Sequence, residues 1–333
     1  MNNSNTNPMV NMKPVAVSLM IGLLTLSDTA YANQTVNQTL GADSDSHVDI
    51  EHMNGSVVIK GWDRDEVMVK GELGDKAEEF IFERSGKRVE IKVEMEHSSY
   101  KKNSWGNWSS GSGDELSIFV PKNSRVTYNS INASVDSENI HGGLDIEVVN
   151  GSIDVDNASG KVRLESVNGS IDANKVSGNV QIETVNGSID GDHSGKGEIG
   201  FESVNGDISI STDSPEITAE TVNGDLDLRL QKVDELDLTS VNGSIDVVLD
   251  LQSSGDVRIS TVGGSVDLTF QKGVSARFDI EGHAGGRFVN RLTDDKMQKA
   301  KYGPRRWLEF ETGNGSAKVE VSTVNGRVEL DSQ

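Results

Sequence analysis

The chain has 333 residues, of which 34% are hydrophobic, only 5% are aromatic and 35 are glycine. This composition suits short strands and many turns better than a bulky globular core. The formal net charge is −22 and there is no cysteine, which excludes disulfides, thiolate metal sites, cysteine nucleophiles and a lipid anchor on cysteine. The acidity also argues against nucleic-acid binding through the overall field.

The N-terminus predicts export. Lys13 supplies positive charge before an apolar run from Val15 to Leu26, and Ala30-Tyr31-Ala32 forms an A-x-A cleavage site. The apolar run is about a dozen residues long, whereas a membrane-spanning helix needs roughly 20. We therefore expect a signal peptide at residues 1–32, a mature chain without a transmembrane segment, and a location in the periplasm, at the cell surface or in the medium.

The region before the main repeats predicts a leader and an N-terminal β cap. Residues 33–47 are polar and predict a flexible leader, and residues 48–62, VDIEHMNGSVVIKGW, are a diverged first copy of the later repeat. Further strands are indicated by the alternation of apolar and polar residues at 66–70, 80–83, 88–94 and 115–120. We assign residues 48–124 to the cap, because an open end of a parallel stack would expose unpaired backbone groups.

A Gly/Ser-rich loop at residues 97–113 interrupts the predicted cap. It carries Trp105 and Trp108, and aromatic side chains on such a loop can stack on sugar rings or anchor a protein partner. They could equally fold back and cover the cap. Both alternatives remain open from the sequence, and the pair is a candidate binding site.

From residue 125 to the end, the chain repeats one phrase around an Asn-Gly pair. The intervals between successive copies are 18, 18, 19, 18 and 19 residues, with the anchors at Asn150, Asn168, Asn186, Asn205, Asn223 and Asn242. Four columns of apolar residues are predicted to form the core, at one, four and six residues before the anchor and three after it. Asn-Gly between alternating strands usually indicates a hairpin, but identical columns at constant period favour parallel stacking of the copies. The predicted fold is all-β, a parallel β-solenoid, similar to a β-helix, of 18–19-residue coils after the N-terminal β cap.

Two acidic columns accompany the repeat. Aspartates lie four residues after the anchor and glutamates three before it. Like charges about 5 Å apart repel by roughly 1 kcal/mol in water, and salt screening, raised carboxyl pKa values or bound Ca²⁺ would relieve that repulsion. Candidate metal ligands are Asp154, Asp172 and Asp190. The glycine-rich calcium nonapeptide of secreted β-rolls is absent, so solvated acidic columns without a cofactor are the favoured interpretation.

A basic segment, residues 281–315, interrupts the repeats before a final copy. Residues 287–306 contain seven Lys or Arg but only two Asp. Candidate binding residues in this segment are Arg287, Arg291, Arg305 and Arg306, which would dock an anionic polymer or an acidic partner. The alternative, which we favour, is that they cover the acidic end of the protein's own stack. Residues 294–301 predict a short helix that ends before Gly303-Pro304.

Nothing in the sequence singles out a catalytic site. The carboxylates recur in every copy, so that Asp154 resembles Asp172 and Asp190, whereas a catalytic pair should break the repeat. The six histidines are scattered, fit no metal or triad spacing, and are interpreted as surface or turn residues. We predict that the protein is not an enzyme.

Three stretches resemble the bacterial putative-adhesin family of exported β-strand repeat proteins, also catalogued as a domain of unknown function. They are the opening VDIEHMNGSVVIKGWDRDEVMVKGEL, the middle ELSIFVPKNSRVTYNSINASV and the repeated VNGSIDV, and the resemblance spans Val48 to Leu330. It implies a β-repeat fold and an adhesin-like role, and it brings no catalytic residues.

We therefore expect an exported adhesin-like or cell-envelope binding or scaffold protein, with an envelope or surface protein or a polysaccharide as partner. The alternatives are a polysaccharide-active β-helix enzyme and an envelope-stress accessory protein that docks to a membrane partner.

Overall fold

The computed structural model describes residues 34–95 and 113–333. All regular structure in this part of the chain is β-strand, and it contains no helix long and apolar enough to cross a membrane. The strands are β1 Gln34–Gly41, β2 His47–Trp62, β3 Glu66–Leu73, β4 Ala77–Ser85, β5 Arg88–Met95, β6 Asp114–Pro121, β7 Arg125–Ile140, β8 Leu144–Asn150, β9 Ile153–Asn168, β10 Ile171–Asn186, β11 Ile189–Ser194, β12 Ile199–Asn205, β13 Ile208–Thr212, β14 Glu216–Asn223, β15 Leu226–Asn242, β16 Ile245–Gly263, β17 Ser265–Phe270, β18 Ala276–Gly282, β19 Arg287–Asn290, β20 Gln298–Lys299, β21 Arg306–Glu311, β22 Ala317–Thr323 and β23 Arg327–Ser332.

Successive copies of the repeat pair in parallel and in register. Asn168 of β9 lies opposite Asn150 of β8 and Asn186 of β10, and the same pairing continues through β12, β14 and β15. The segments after Asn-Gly pair in the same way, with Asp172 opposite both Asp154 and Asp190. The choice of parallel stacking over hairpins is therefore confirmed.

Three of the four predicted core columns are buried. Ile153, Ile146 and Leu144 represent the columns three after, four before and six before the anchor, and each is at most 1% exposed. The predicted fourth core column, the valine before each anchor, is wrong, because Val149, Val167, Val185, Val204 and Val222 are 39–41% exposed. Residues six, four and two before the anchor point inward, so strand alternation turns the next residue outward. The inward position next to valine is mostly Ser or Thr.

The Asn-Gly pairs form close contacts between copies. The asparagine side chains donate from Nδ2 to Oδ1 of the preceding copy over 2.9–3.1 Å, along a ladder from Asn132 to Asn242. A Cβ atom on Gly187 would lie 2.2 Å from the carbonyl oxygen of Gly169. A Cβ atom at Gly187 would therefore collide with the backbone of the preceding copy, and the requirement for glycine there is close approach rather than positive φ. The looser second turn is a bend inside strands β9 and β10, with left-handed φ of 60° at Asn157 and 53° at Lys175.

At the N-terminal end, a full copy lies beneath an irregular layer. Strand β2 pairs in parallel with β7 on one side and with β5 and β6 on the other, while β3 and β4 add antiparallel strands to β6 and β5. The strands predicted at 66–70, 80–83, 88–94 and 115–120 are confirmed. The predicted flexible leader at 33–47 is wrong for residues 34–41, because these form β1, which pairs antiparallel with β3 over eight residues.

The C-terminal end has the same construction. The final copy, β22 and β23, lies between β16 and β17 on one side and β18 and β19 on the other. Strand β21 then pairs antiparallel with β18, and β20 with β21.

The helix predicted at 294–301 is wrong. The Asn290 side chain accepts from the backbone N–H of Leu292 and Thr293, which makes a turn, and residues 298–299 are drawn into a strand.

Candidate functional site

The outer face of the strands before Asn-Gly carries a continuous line of apolar side chains. Its ten members share one position in successive copies, and nine of them are 39–48% exposed, with Val241 half-buried. We call this line the apolar ladder, consisting of Met53, Ile131, Val149, Val167, Val185, Val204, Val222, Val241, Val262 and Val324. Contiguous exposed apolar surface is uncommon on soluble proteins and typically marks a contact site.

A column of carboxylates runs beside the middle of the apolar ladder. Strand alternation places residues three and one before the anchor on the same outer face. The glutamate ladder consists of Glu147, Glu165, Glu183, Glu202 and Glu220. Together with Val149 to Val241 it lines a groove of about 610 Å³, which also reaches Met53 and Ile131.

The two ends of the glutamate ladder differ in charge compensation. Arg163 pairs with Glu147, at 2.9 Å, and with Glu165. Glu183 accepts a hydrogen bond of 2.7 Å from Gln181, but neither it nor Glu202 nor Glu220 contacts a cation in the described part of the chain. Burial, with help from the charges of Glu183 and Glu220, raises the pKa of Glu202 above its usual range. The groove therefore joins an apolar strip to carboxylates that lack counter-charges.

The predicted metal ligands lie in a second column, after the Asn-Gly corner. Asp154, Asp172 and Asp190 stack in register. Burial, followed by repulsion from neighbouring aspartates, raises the pKa of Asp154 and of Asp190. Residues 34–95 and 113–333 contain no group of three His, Cys, Asp or Glu side chains that could hold a metal ion. Calcium binding by this column stays a prediction.

Three of the four predicted basic binding residues make contacts within the chain. Arg291 pairs with Glu329 and, at 2.8 Å, with Asp331. Arg305 pairs with Glu281, and the Arg306 guanidinium donates to the carbonyl of Gly286. Arg287 has no such side-chain partner among the residues that the structure describes. These contacts favour the covering role over the docking role for Arg291, Arg305 and Arg306. Trp105 and Trp108 lie outside the described residues.

Two histidines are buried, against the prediction that all six lie at the surface or in turns. The His52 side chain contacts Asp114 (Nε2 to Oδ2, 2.9 Å) and Tyr128 (Nδ1 to the hydroxyl, 3.2 Å), and all three residues are at most 1% exposed. His193 contacts Thr212 and the carbonyl of Gly178. The alternation pattern of β2, in which His52 takes an inward position, was the available signal. The buried His52 side chain on β2 therefore links this strand to Asp114 of β6 and Tyr128 of β7.

Comparison with known proteins gives a family and a set of distant structural neighbours. The family model described as Toastrack DUF4097 matches residues 46–331. No curated protein matches the sequence.

Similar solved structures include three bacterial proteins. A putative cell adhesion protein from Clostridium sporogenes is 10% identical, with 91% of this chain and 100% of that chain covered and a TM-score of 0.23. A putative adhesin from Bacteroides fragilis is 9% identical, with coverage of 90% and 98% and a TM-score of 0.32. A putative lipid binding protein from Parabacteroides distasonis is 11% identical, with coverage of 89% and 96% and a TM-score of 0.35. These TM-scores are too low for any property to be transferred.

Proposed function

The chain belongs to the Toastrack DUF4097 family, and on that premise we propose that it is an exported, non-enzymatic binding or scaffold protein of the bacterial cell envelope. The observation that carries this proposal is the apolar ladder beside the glutamate ladder. Side chains of one kind recur at every step along the stack, which suits recognition of an extended partner rather than chemistry at one point.

In this proposal the copies form a β-solenoid that serves as a rigid display element. Parallel pairing in register makes each face of the stack a regular surface. The antiparallel strands β3 and β4 at one end, and β20 and β21 at the other, act as caps that limit pairing with further chains. Length is then set by copy number, as in other repeat proteins.

Among the residues that the structure describes, no accessible side chain stands out as a reactive group, which supports a binding role over catalysis. The described residues bring together one His–Asp–Tyr cluster, and His52, Asp114 and Tyr128 are all buried. Many accessible carboxylates belong to the aspartate column and the glutamate ladder, in which side chains of one kind recur at the same position in successive copies. A general acid and base need different environments to hold different protonation states.

The proposal also assigns roles to the N-terminal signal sequence, the tryptophan loop and Arg287. Residues 1–32 direct export. Trp105 and Trp108 provide a second contact to an envelope polysaccharide or protein through aromatic stacking. Of the four predicted basic binding residues, Arg287 is the one whose side chain has no partner among the described residues, and in this proposal it contacts an acidic partner.

Fractionation of the native host tests the proposal. We expect the mature chain in the periplasm, at the cell surface or in the medium, and retention of an envelope protein or polysaccharide on the immobilised chain. Location in the cytoplasm, or failure to retain any envelope component, would contradict it.

The tryptophan contact has its own test. Replacing Trp105 and Trp108 by Ala should weaken binding to the retained component, whereas the double replacement by Phe keeps the aromatic faces and should preserve it. Equal binding by all three forms would remove the tryptophan pair from the proposal.

A further inference from the structure

We propose that the groove between the apolar ladder and the glutamate ladder binds a cationic amphipathic helix of a partner protein. This inference rests on the proposed binding function and deepens it by naming the partner's chemistry. The groove is formed by the six valines from Val149 to Val241 and by the five members of the glutamate ladder, each of which precedes a valine by two residues; Thr239 takes this position before Val241.

The charge of the groove selects a cationic partner. Glu183, Glu202 and Glu220 form three successive carboxylates without a cation among the described residues, and burial raises the pKa of Glu202. A partner with Lys or Arg beside its apolar side chains would supply the missing charge while covering the valines. An anionic lipid or polysaccharide would meet like charge, and the net charge of −22 adds to that repulsion.

The backbone of the stack selects a helix over an extended segment. Strands β9, β10, β12, β14 and β15 already pair with their neighbours on both sides. A strand laid across this face would find no free N–H or C=O groups and would leave its own backbone unpaired. A helix satisfies its backbone internally and presents side chains only, which is the usual mode of binding to an apolar groove.

The dimensions fit a helix of ordinary length. Val149 to Val241 spans five steps of about 4.8 Å, or about 24 Å in all. At about 1.5 Å per residue, a helix of about 16 residues covers this distance. Its turns recur about every 5.4 Å, close to the spacing of the valines, so that one apolar stripe follows the valines and a neighbouring basic stripe follows the glutamates.

A second copy of this chain is a poorer occupant. Face-to-face packing of two grooves would bring two glutamate ladders, and two chains of charge −22, towards each other. The apolar strip could be covered in this way, but the unpaired carboxylates would remain without counter-charge. The cationic helix satisfies both halves of the groove at once.

The test uses the purified protein and a synthetic amphipathic peptide. The probe is a fluorescent peptide of about 16 residues with Leu at i, i+4, i+7, i+11 and i+14 and a flanking stripe of Lys. Control probes are a scrambled sequence of the same composition and a version with Glu in place of Lys. We expect the first probe to bind at least tenfold more tightly than either control, with an affinity that falls as salt is added.

Matched variants separate the groove from the general acidity. Neutralising three members of the glutamate ladder (Glu183→Gln, Glu202→Gln, Glu220→Gln) should weaken peptide binding at least tenfold. The equal charge change on another face (Asp172→Asn, Asp190→Asn, Asp246→Asn) should weaken peptide binding less than threefold. The double change Val185→Ser and Val204→Ser should also weaken peptide binding at least tenfold. Val248→Ser, at an outward position of another strand, should weaken peptide binding less than threefold.

Several outcomes would overturn the proposal. Equal weakening of binding by the two triple variants would show that the overall negative charge of the protein binds the peptide. Equal affinity for the scrambled peptide would show that binding does not depend on an amphipathic arrangement of its side chains. A dimer dissociated by the valine changes, with no peptide binding, would make a second copy the occupant. Peptide binding that appears only after Trp105 and Trp108 are replaced would make this chain's own loop the occupant.

The peptide experiment and the envelope experiment fail independently. Loss of peptide binding alone, with an envelope component still retained, refutes the helix and leaves the proposed function standing. Peptide binding by a chain that is found in the cytoplasm refutes the proposed function instead.

Discussion

At the scale of single residues, the Asn-Gly pair joins each copy to the next. The amide ladder gives every internal asparagine one donated and one accepted hydrogen bond, and such stacked amides add to the stability of parallel strands. The glycine beside it lets the backbone of neighbouring copies come close. The pair therefore has two separable roles, which single substitutions can distinguish.

Substitution of Gly187 tests the close approach. In Gly187→Ala, the added Cβ would lie 2.2 Å from the carbonyl oxygen of Gly169, so the backbone of two copies must shift. We expect a loss of more than about 2 kcal/mol in the free energy of unfolding, measured by urea denaturation.

The matched control is Gly200→Ala, because a Cβ at Gly200 meets no atom within 4 Å. Its effect should stay within about 0.5 kcal/mol. Equal effects of the two substitutions would mean that the glycines are not selected by contact between copies.

Substitution of Asn186 tests the amide ladder. Asn186→Ala removes the bond donated to Asn168 and the bond accepted from Asn205, and a net contribution of about 0.5–1.5 kcal/mol per bond predicts a loss of about 1–3 kcal/mol. Thermal unfolding of Asn179→Ala is the control, since Asn179 is exposed and its side chain makes no hydrogen bond with the described residues. A loss of stability no larger than that of the control would show that hydrogen bonds within the asparagine ladder contribute no more than hydrogen bonds of the same side chains to water.

At the scale of elements, both ends of the stack are finished by strands that the chain places outside a regular copy. At the C-terminal end, Arg291 follows β19 and reaches Glu329 and Asp331 of β23. The contact with Arg291 holds the pKa of Asp331 below its usual range. This arginine therefore fastens the outer layer to the final copy.

Charge reversal at Arg291 should loosen the C-terminal layer. Arg291→Glu replaces two attractive contacts by repulsion from Glu329, which is 8% exposed, and we expect a lower melting temperature. Arg287→Glu changes the net charge equally, but no side-chain partner of Arg287 is found in residues 34–95 and 113–333, so its melting temperature should hardly move. An equal fall in both variants would assign the effect to net charge alone.

The periodicity of the sequence was sufficient to predict the strands, their parallel pairing and three core columns. It misled on the valines before Asn-Gly, because an apolar residue was assigned to the core although alternation from Leu164 and Ser166 turns Val167 outward. It also missed the burial of His52, whose partner Asp114 is 62 positions away in the sequence. The helix predicted at 294–301 failed because β21 offers residues 298–299 a strand partner, and such tertiary pairing is invisible in local propensity.

At the scale of the whole molecule, aligned carboxylates are the recurring electrostatic feature. Each acidic column stacks like charges at the spacing of parallel strands, about 4.8 Å, and this repulsion opposes folding. The fold compensates by keeping most of these groups near water, where charges are screened. Cations or protons would relieve the repulsion further, and the two can be measured apart.

Calcium titration separates specific binding from screening. Binding at Asp154, Asp172 and Asp190 would raise the melting temperature in millimolar CaCl₂ above the value in NaCl of equal ionic strength, by mass action on the folded state. We expect equal shifts in the two salts, since the described residues hold no group of three metal-binding side chains. A larger shift in CaCl₂ that is lost in Asp172→Asn would establish the calcium site.

Proton uptake by the aspartate column should make this protein more stable on mild acidification. The pKa values of Asp154 and Asp190 are raised above the ordinary 3.8, so as the pH falls the folded state takes up protons before the unfolded state does. The free energy of unfolding contributed by these groups therefore rises as the pH drops through their folded pKa values towards 3.8, and their penalty is complete at neutral pH.

The double variant Asp154→Asn, Asp190→Asn should consequently melt at a higher temperature than the wild type at pH 7, and the difference should shrink towards pH 4. Removal of the Asp45 carboxylate should have the opposite effect on the melting temperature, since its hydrogen bond and attraction to Lys87 lower its pKa. Asp45→Asn should melt lower at pH 7, and this difference should persist to about pH 4 and shrink only as the pH falls below 3.8 towards the lowered folded pKa. A double variant that melts at or below the wild-type temperature at pH 7 would show that screening already removes the repulsion within the column.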